Sequence, residues 1–176
     1  IPFKFKWASG FSEGFARVGE NGRYSYIDKT GEIAIDCKFQ WLYEFSEGRA
    51  VVYDLEKWGV INTKGEFVKP MGYAGWMSSA SEGYIRLHPN DLYERHYGFF
   101  NLDFEYPQLI DVDDRSILKP HDANNFHEGL AAVGYHHSVH DVWIRSYIDK
   151  NAKCVFPKRE DLDVHSDFDD DTFFLM

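Results

Sequence analysis

Two stretches of the chain concentrate side chains able to bind or to catalyse: "HPNDLYERH" (His88 to His96) and "GYHHSVHD" (Gly134 to Asp141). Between them they hold His88, Asp91, Glu94, Arg95, His96, His136, His137, His140 and Asp141. Imidazole and carboxylate are suitable ligand types for zinc or nickel, and His136, His140 and Asp141 are the residues that would supply such a site. On a helix His136 and His140 would share a face; in a hairpin loop their spacing fixes no geometry, and a solvated polar loop is the plainer reading. A hydrolase would need a nucleophile, a base and oxyanion donors together, and no such set can be assembled here. The expectation is therefore a binding surface with no enzyme activity, no cofactor and no resident metal.

Three other features could carry chemistry. The tail "REDLDVHSDFDDDTFFLM" (Arg159 to Met176) holds seven carboxylates between Glu160 and Asp171. It lacks the Gly turn and distant Glu of an EF-hand loop, so it reads as a solvated acidic cap or partner-binding tail. Trp7, Trp41, Trp76 and Trp143 could form a platform for a sugar or a Pro-rich peptide. Trp7 and Trp41 stand at equivalent places, which favours a stacked core ladder, whereas Trp76, in "GYAGWMSS", is the indole expected to be exposed. Lastly, Ser-Glu-Gly in "FSEGFARV" (Phe11 to Val18) and "FSEGRAVV" (Phe45 to Val52) could be part of an active site or a turn that the fold needs repeatedly.

The elements that must position these residues decide the last question. Shifting the chain by 34 residues aligns positions 1–34 with 35–68 at 13 identities, without a gap. Unrelated segments would share roughly two. "ASEGYIRL" (Ala80 to Leu87) and "FHEGLAAV" (Phe126 to Val133) are third and fourth copies. Each copy returns through a second apolar strand, at "YSYIDKTGE", "WGVINTKGE", "YGFFNLD" and "SYIDKNAK", and closes near Asp36, Pro70, Pro120 and Pro157. Alternation in "FARV" and "RAVV" and the Gly turns in "DKTGE" and "NTKGE" are β signals. Each unit reads as strand, loop, strand, tight turn, short strand, too small to bury its own apolar face, so neighbours must stack.

The predicted fold is thus all-β, a solenoid-like array of about four stacked β-hairpin repeats. The array spans 1–158, with units near 1–10 (partial), 11–44, 45–78, 79–125 and 126–158, and 159–176 forms the acidic tail. Glu-Gly recurs at Glu13, Glu47, Glu82 and Glu128, while Ser becomes His127 and Phe becomes Ala80. The Glu-Gly is accordingly structural, each Glu accepting backbone N–H groups at the turn or pairing with a nearby Lys.

Composition narrows the partners. The chain is 44% apolar and 18% aromatic, too apolar for disorder. Its net charge of −10 falls entirely in residues 89–176, which hold 8 Lys/Arg against 18 Asp/Glu and seven of the eight histidines. An acidic half repels phosphate backbones, which argues against nucleic acid and for a basic protein partner. No run is long enough to span a membrane. Cys37 and Cys154 resemble neither a disulfide framework nor a zinc site.

The repeated residues resemble the bacterial WG-repeat (KWG-repeat) family, whose pattern runs F-x-E-G-L-A-x-V, then K-W-G-Y-I-D-x-x-G. "EKWGVINTKGE" and "FHEGLAAV" are the closest matches, and the resemblance extends from Ile1 to about Pro157. The Trp-Gly pair is intact only at Trp58-Gly59, becoming Tyr24-Ser25, Tyr97-Gly98 and Arg145-Ser146. The resemblance implies a bacterial interaction module with no catalytic residues to carry over. The expected function is protein–protein interaction with a basic partner through the acidic second half, with a carbohydrate- or cell-wall-binding module, or metal binding at the His loops, as alternatives. The bacterial cytoplasm is favoured over secretion. "IPFKFKW" matches the end of a repeat, so a fragment of a longer array is expected, with uncapped ends open to self-association.

Overall fold

The computed structural model describes residues 5–73, 75–88, 97–105, 120–137 and 142–155. They form fourteen strands and no helix, arranged as four antiparallel meanders. Sheet one contains β1 (Trp7–Ser12), β2 (Phe15–Glu20), β3 (Arg23–Ile27) and β4 (Ile33–Phe39). Sheet two contains β5 (Trp41–Leu42), β6 (Arg49–Asp54), β7 (Lys57–Asn62) and β8 (Phe67–Tyr73). Sheet three is β9 (Trp76–Ser81), β10 (Tyr84–His88) and β11 (Gly98–Asn101); sheet four is β12 (Asp122–Ala123), β13 (Leu130–His137) and β14 (Val142–Asp149).

Each sheet takes in a strand ahead of the Glu-Gly pair, a strand that the sequence reading did not separate. Glu-Gly is therefore a two-residue hairpin loop. Ser12 pairs with Phe15 across it in sheet one, Ser46 with Arg49, Ser81 with Tyr84 and His127 with Leu130 in the others. Both loop residues have positive φ in all four copies: 49° and 90° at Glu13-Gly14, 55° and 70° at Glu47-Gly48, 52° and 92° at Glu82-Gly83, 53° and 83° at Glu128-Gly129. That is the type I′ geometry whose twist suits a hairpin, and Gly fits its second place without strain. Asn or Asp is the usual first residue. Glu there has a backbone cost of about 1 kcal/mol, which calls for compensation elsewhere.

The third turn of each sheet is closed by an Asx residue. Asp28 accepts the backbone N–H of Thr30 (2.8 Å) and Glu32 (3.3 Å) on its carboxylate. Asn62, Asn101 and Asp149 repeat the arrangement. The Trp-Gly glycine has a separate reason. A Cβ on Gly59 would come within 2.8 Å of Met71 Sδ and 3.1 Å of the Lys69 carbonyl and the Met71 nitrogen, where β8 shifts register against β7.

Apolar residues lie between successive sheets rather than within one. Tyr26 and Ile35 of sheet one pack with Leu42, Phe45, Ala50, Val52 and Ile61 of sheet two. Val51, Trp58 and Val60 of sheet two pack with Met77, Ala80, Ile85 and Leu87 of sheet three. Phe99 of sheet three enters the cluster of Phe126, Ala131, Val133, Tyr135 and Ile148 in sheet four. No sheet covers both its faces, so the fold is an array of sheets held by their joints.

Candidate functional site

The joints share one polar device. Glu13 in the first turn reaches the second turn, where its carboxylate accepts the N–H of Glu47 (2.7 Å) and Gly48 (2.9 Å). Glu47 accepts the Gly83 N–H at 2.7 Å in the third turn, and Glu82 the Gly129 N–H at 2.7 Å in the fourth. Each carboxylate thus serves the turn of the following sheet. Hydrogen bonds to a charged acceptor are stronger than those between neutral groups, and here they act against the strain of a left-handed Glu. Lys150 Nζ lies 3.2 Å from Glu82. The Gly129 N–H, with that ammonium assisting, holds the Glu82 carboxyl below the ordinary carboxylate range.

Other groups cross only some joints. Ser12 Oγ donates to the Phe45 carbonyl (2.7 Å), and Ser81 Oγ to that of Phe126 (2.8 Å). Arg17 donates to the Leu42 carbonyl at 3.3 Å and lies 3.2 Å from Glu44, while Arg86 donates to the Ala123 carbonyl. The Arg17 and Arg86 amides donate to Ser9 Oγ (3.0 Å) and Ser78 Oγ (3.1 Å) in matching bulges of β1 and β9. At the place of these arginines sheet two has Val51, buried at the second joint. Sheets one and three therefore share W-x-S-x-x-S-E-G-x-x-R, at 7–17 and 76–86, a signal readable at a shift of 69 residues but not at 34.

An aromatic row runs across the first and second joints. Trp7 meets Tyr24 edge-on (5.6 Å between ring centroids), and Tyr24 meets Trp41 (5.5 Å). Trp41 meets Tyr43 (6.5 Å), Tyr43 stacks on Trp58 (5.9 Å), and Trp58 touches Trp76 (5.5 Å). The ladder exists, but it is a sheet edge rather than core. Trp58 is buried, while Trp7, Trp41 and Trp76 are 42%, 40% and 62% exposed. The Arg17 guanidinium lies 5.4 Å from the Trp7 ring centroid.

The residues singled out for their chemistry fall as follows. Trp76 is the first residue of β9 and open to solvent. His88 ends β10 instead of lying in a loop. Its half-buried ring lies on Tyr97 (4.6 Å), its carbonyl accepts the Tyr73 hydroxyl (2.7 Å), and burial lowers its pKa. His136 and His137 are strand residues of β13, in register with Trp143 and Val142. Asp91, Glu94, Arg95, His96, His140 and Asp141 lie outside the described residues, as does the tail from 159 to 176. Among the described residues no group of three or more His, Cys, Asp or Glu could hold a metal. Cys37 and Cys154 form no disulfide among the described residues, and burial pushes the Cys37 thiol up to about 11, so it is protonated at neutral pH.

Successive antiparallel sheets, joined by carboxylates handed from one turn to the next, define a β-repeat module. The model of the WG containing repeat matches residues 1–24, 24–57 and 58–87, so the first half of the chain is built of WG repeats. Beyond the matched residues, the fourth sheet keeps the Glu-Gly turn and receives Glu82 as earlier turns receive Glu13 and Glu47. No curated protein and no solved structure matches the chain significantly.

Proposed function

We propose that this repeat module is non-enzymatic and binds a basic protein segment, with the aromatic edge and the acidic second half as its contact surfaces. The observation that carries the reading is the half-exposed indole row, Trp7, Trp41 and Trp76, at the same place in three successive sheets. A row whose only task was packing would be buried. Open indole faces attract guanidinium and ammonium groups, at about 0.5–2 kcal/mol each. The excess of carboxylates in residues 89–176 supplies the long-range attraction.

Calorimetric titration with a Lys/Arg-rich peptide tests this. Affinity falls steeply with salt, and Trp76→Ala weakens binding about tenfold. Binding indifferent to salt, or unaltered by Trp76→Ala, contradicts the proposal. The indole row also favours a second reading, a carbohydrate-binding edge, since that alternative requires at least two exposed rings on one face. Salt-independent binding of a neutral oligosaccharide, lost in Trp76→Ala, would select it instead.

A further inference from the structure

We infer that the indole row reads a proline-rich segment of about ten residues in polyproline II form, with an apolar residue on Trp7 and a Lys or Arg at Asp122. The inference rests on the basic-partner reading and deepens it, by fixing the form, spacing and polarity of the bound segment.

One register position recurs in all four sheets. Trp7 pairs with Gly19, Trp41 with Tyr53, Trp76 with His88 and Asp122 with Gly134. The adjoining pairs are Ala8 with Val18, Leu42 with Val52, Met77 with Leu87 and Ala123 with Val133. Leu42, Met77 and Ala123 are buried, so alternation along the strand turns Trp41, Trp76 and Asp122 outward. The series is three indoles and then a carboxylate. The Asp122 carboxylate makes no hydrogen bond or ion pair among the described residues. Its charge reaches Arg86 and His88, and His88 is the cross-strand partner of Trp76.

Spacing selects the form of the segment. Sheets packed face to face stand about 10 Å apart. The step from Trp7 to Trp41, bridged by Tyr24 at 5.6 and 5.5 Å between centroids, is no longer than those two contacts end to end. A polyproline II helix has three residues per turn and so returns to one face about every 9.3 Å. A β-strand returns after about 6.8 Å and one turn of α-helix after about 5.4 Å, both too short. Residues i, i+3, i+6 and i+9 of a polyproline II segment therefore fall on successive sheets. Proline holds that form before binding, and its flat apolar ring suits an indole face.

Charge sets the polarity. The Trp7 ring already has a cation, since the Arg17 guanidinium lies 5.4 Å from its centroid. A second cation there would meet a like charge, whereas an uncharged proline would not. Among the described residues Trp76 has no cation over its ring, and the next place in the series is the unpaired carboxylate of Asp122. The chain's charge agrees: residues 1–88 are neutral, and the net −10 falls in residues 89–176, which contain Asp122. The cationic end of the segment belongs on sheet four.

Calorimetric titration of the full chain with peptides of one composition and charge gives the test. One peptide has proline at its first, fourth and seventh places and Arg at its tenth; a second reverses that order; a third is a scramble without the three-residue period. The periodic peptide, in one of its two chain directions, binds about tenfold tighter than the scramble. Trp7→Ala and Asp122→Asn each weaken it about three- to tenfold. Asp122→Lys reverses the preference, so that a peptide with Glu in place of the Arg binds tighter than the original. Asp122→Asn keeps the shape of the side chain, so its result stands even where Asp122→Lys does not fold. Equal binding of the periodic peptide and the scramble, both weakened by salt and by Trp76→Ala, overturns the inference and leaves the basic-partner reading in place. Tighter binding of a peptide with a seven-residue, helical period does the same. Undiminished binding by Asp122→Asn overturns the polarity, and a chain that binds none of these peptides contradicts both readings.

Discussion

The joint between sheets one and two and that between sheets three and four are built alike, and the middle joint is not. The outer pair each carry an arginine to a backbone carbonyl, a serine to a second carbonyl and a bulge closed by another serine. The middle joint replaces the arginine with Val51 and surrounds it with Trp58, Met77, Ile85 and Leu87. The arginines are not free of cost, because Nε of both Arg17 and Arg86 is buried without a hydrogen-bond partner. An arginine requires acceptors at fixed places and so sets register; a valine requires only apolar neighbours. The Glu hand-over is common to all three joints. The array therefore separates a constant polar link from an interchangeable filling.

Exchanging the fillings should expose this most strongly. Val51→Arg places a guanidinium against Met77 and Leu87 with no carbonyl arranged to receive it, and should destabilise by about 3 kcal/mol or more. Arg17→Ala, at the equivalent place in the first joint, loses charged hydrogen bonds that are partly open to solvent and should cost about 1–2 kcal/mol. Urea unfolding measures both. Equal effects would mean that the two kinds of joint do not differ as described.

A smaller effect follows from acid. The Glu82 carboxyl is held below its ordinary range by the Gly129 N–H and then by Lys150. Its contribution is fully present above the pH at which the unfolded carboxyl titrates. It is lost as pH falls through the lowered native value. Unfolding midpoints from neutral pH downward should therefore fall more steeply in wild type than in Glu82→Gln. Parallel curves would remove Glu82 from the joint's energetics.

Much of this was legible beforehand, for identifiable reasons. The all-β array follows from the 34-residue self-similarity, and the assignment of Glu to backbone N–H groups follows from four like charges that could not face one another freely. What the period could not reveal was direction. Equivalent positions show that Glu13 and Glu47 play one part, but not that Glu13 serves Glu47's turn instead of its own. The ladder joining Trp7 and Trp41 was foreseen as core. Equivalence fixes which rings neighbour one another across copies, but it does not fix their depth, and the row lies at an edge. The paired character of sheets one and three was hidden because insertions break the regular spacing after the second copy. For the histidines, spacing carried no geometry: His88, His136 and His137 are strand residues, so the strands that hold them run into the expected loops.

The claim that the Glu-Gly turn links each sheet to the next is tested most directly by amide exchange and chemical shifts at the turn glycines. Gly48, Gly83 and Gly129 should be protected from exchange, and Gly14, whose N–H has no acceptor among the described residues, should not. Replacing Glu47 with Ala should abolish protection at Gly83, one sheet downstream, and leave the amide of Gly48 protected by Glu13. Loss of protection at Gly48 with Gly83 unchanged would show that the carboxylate serves its own turn, and would contradict the account.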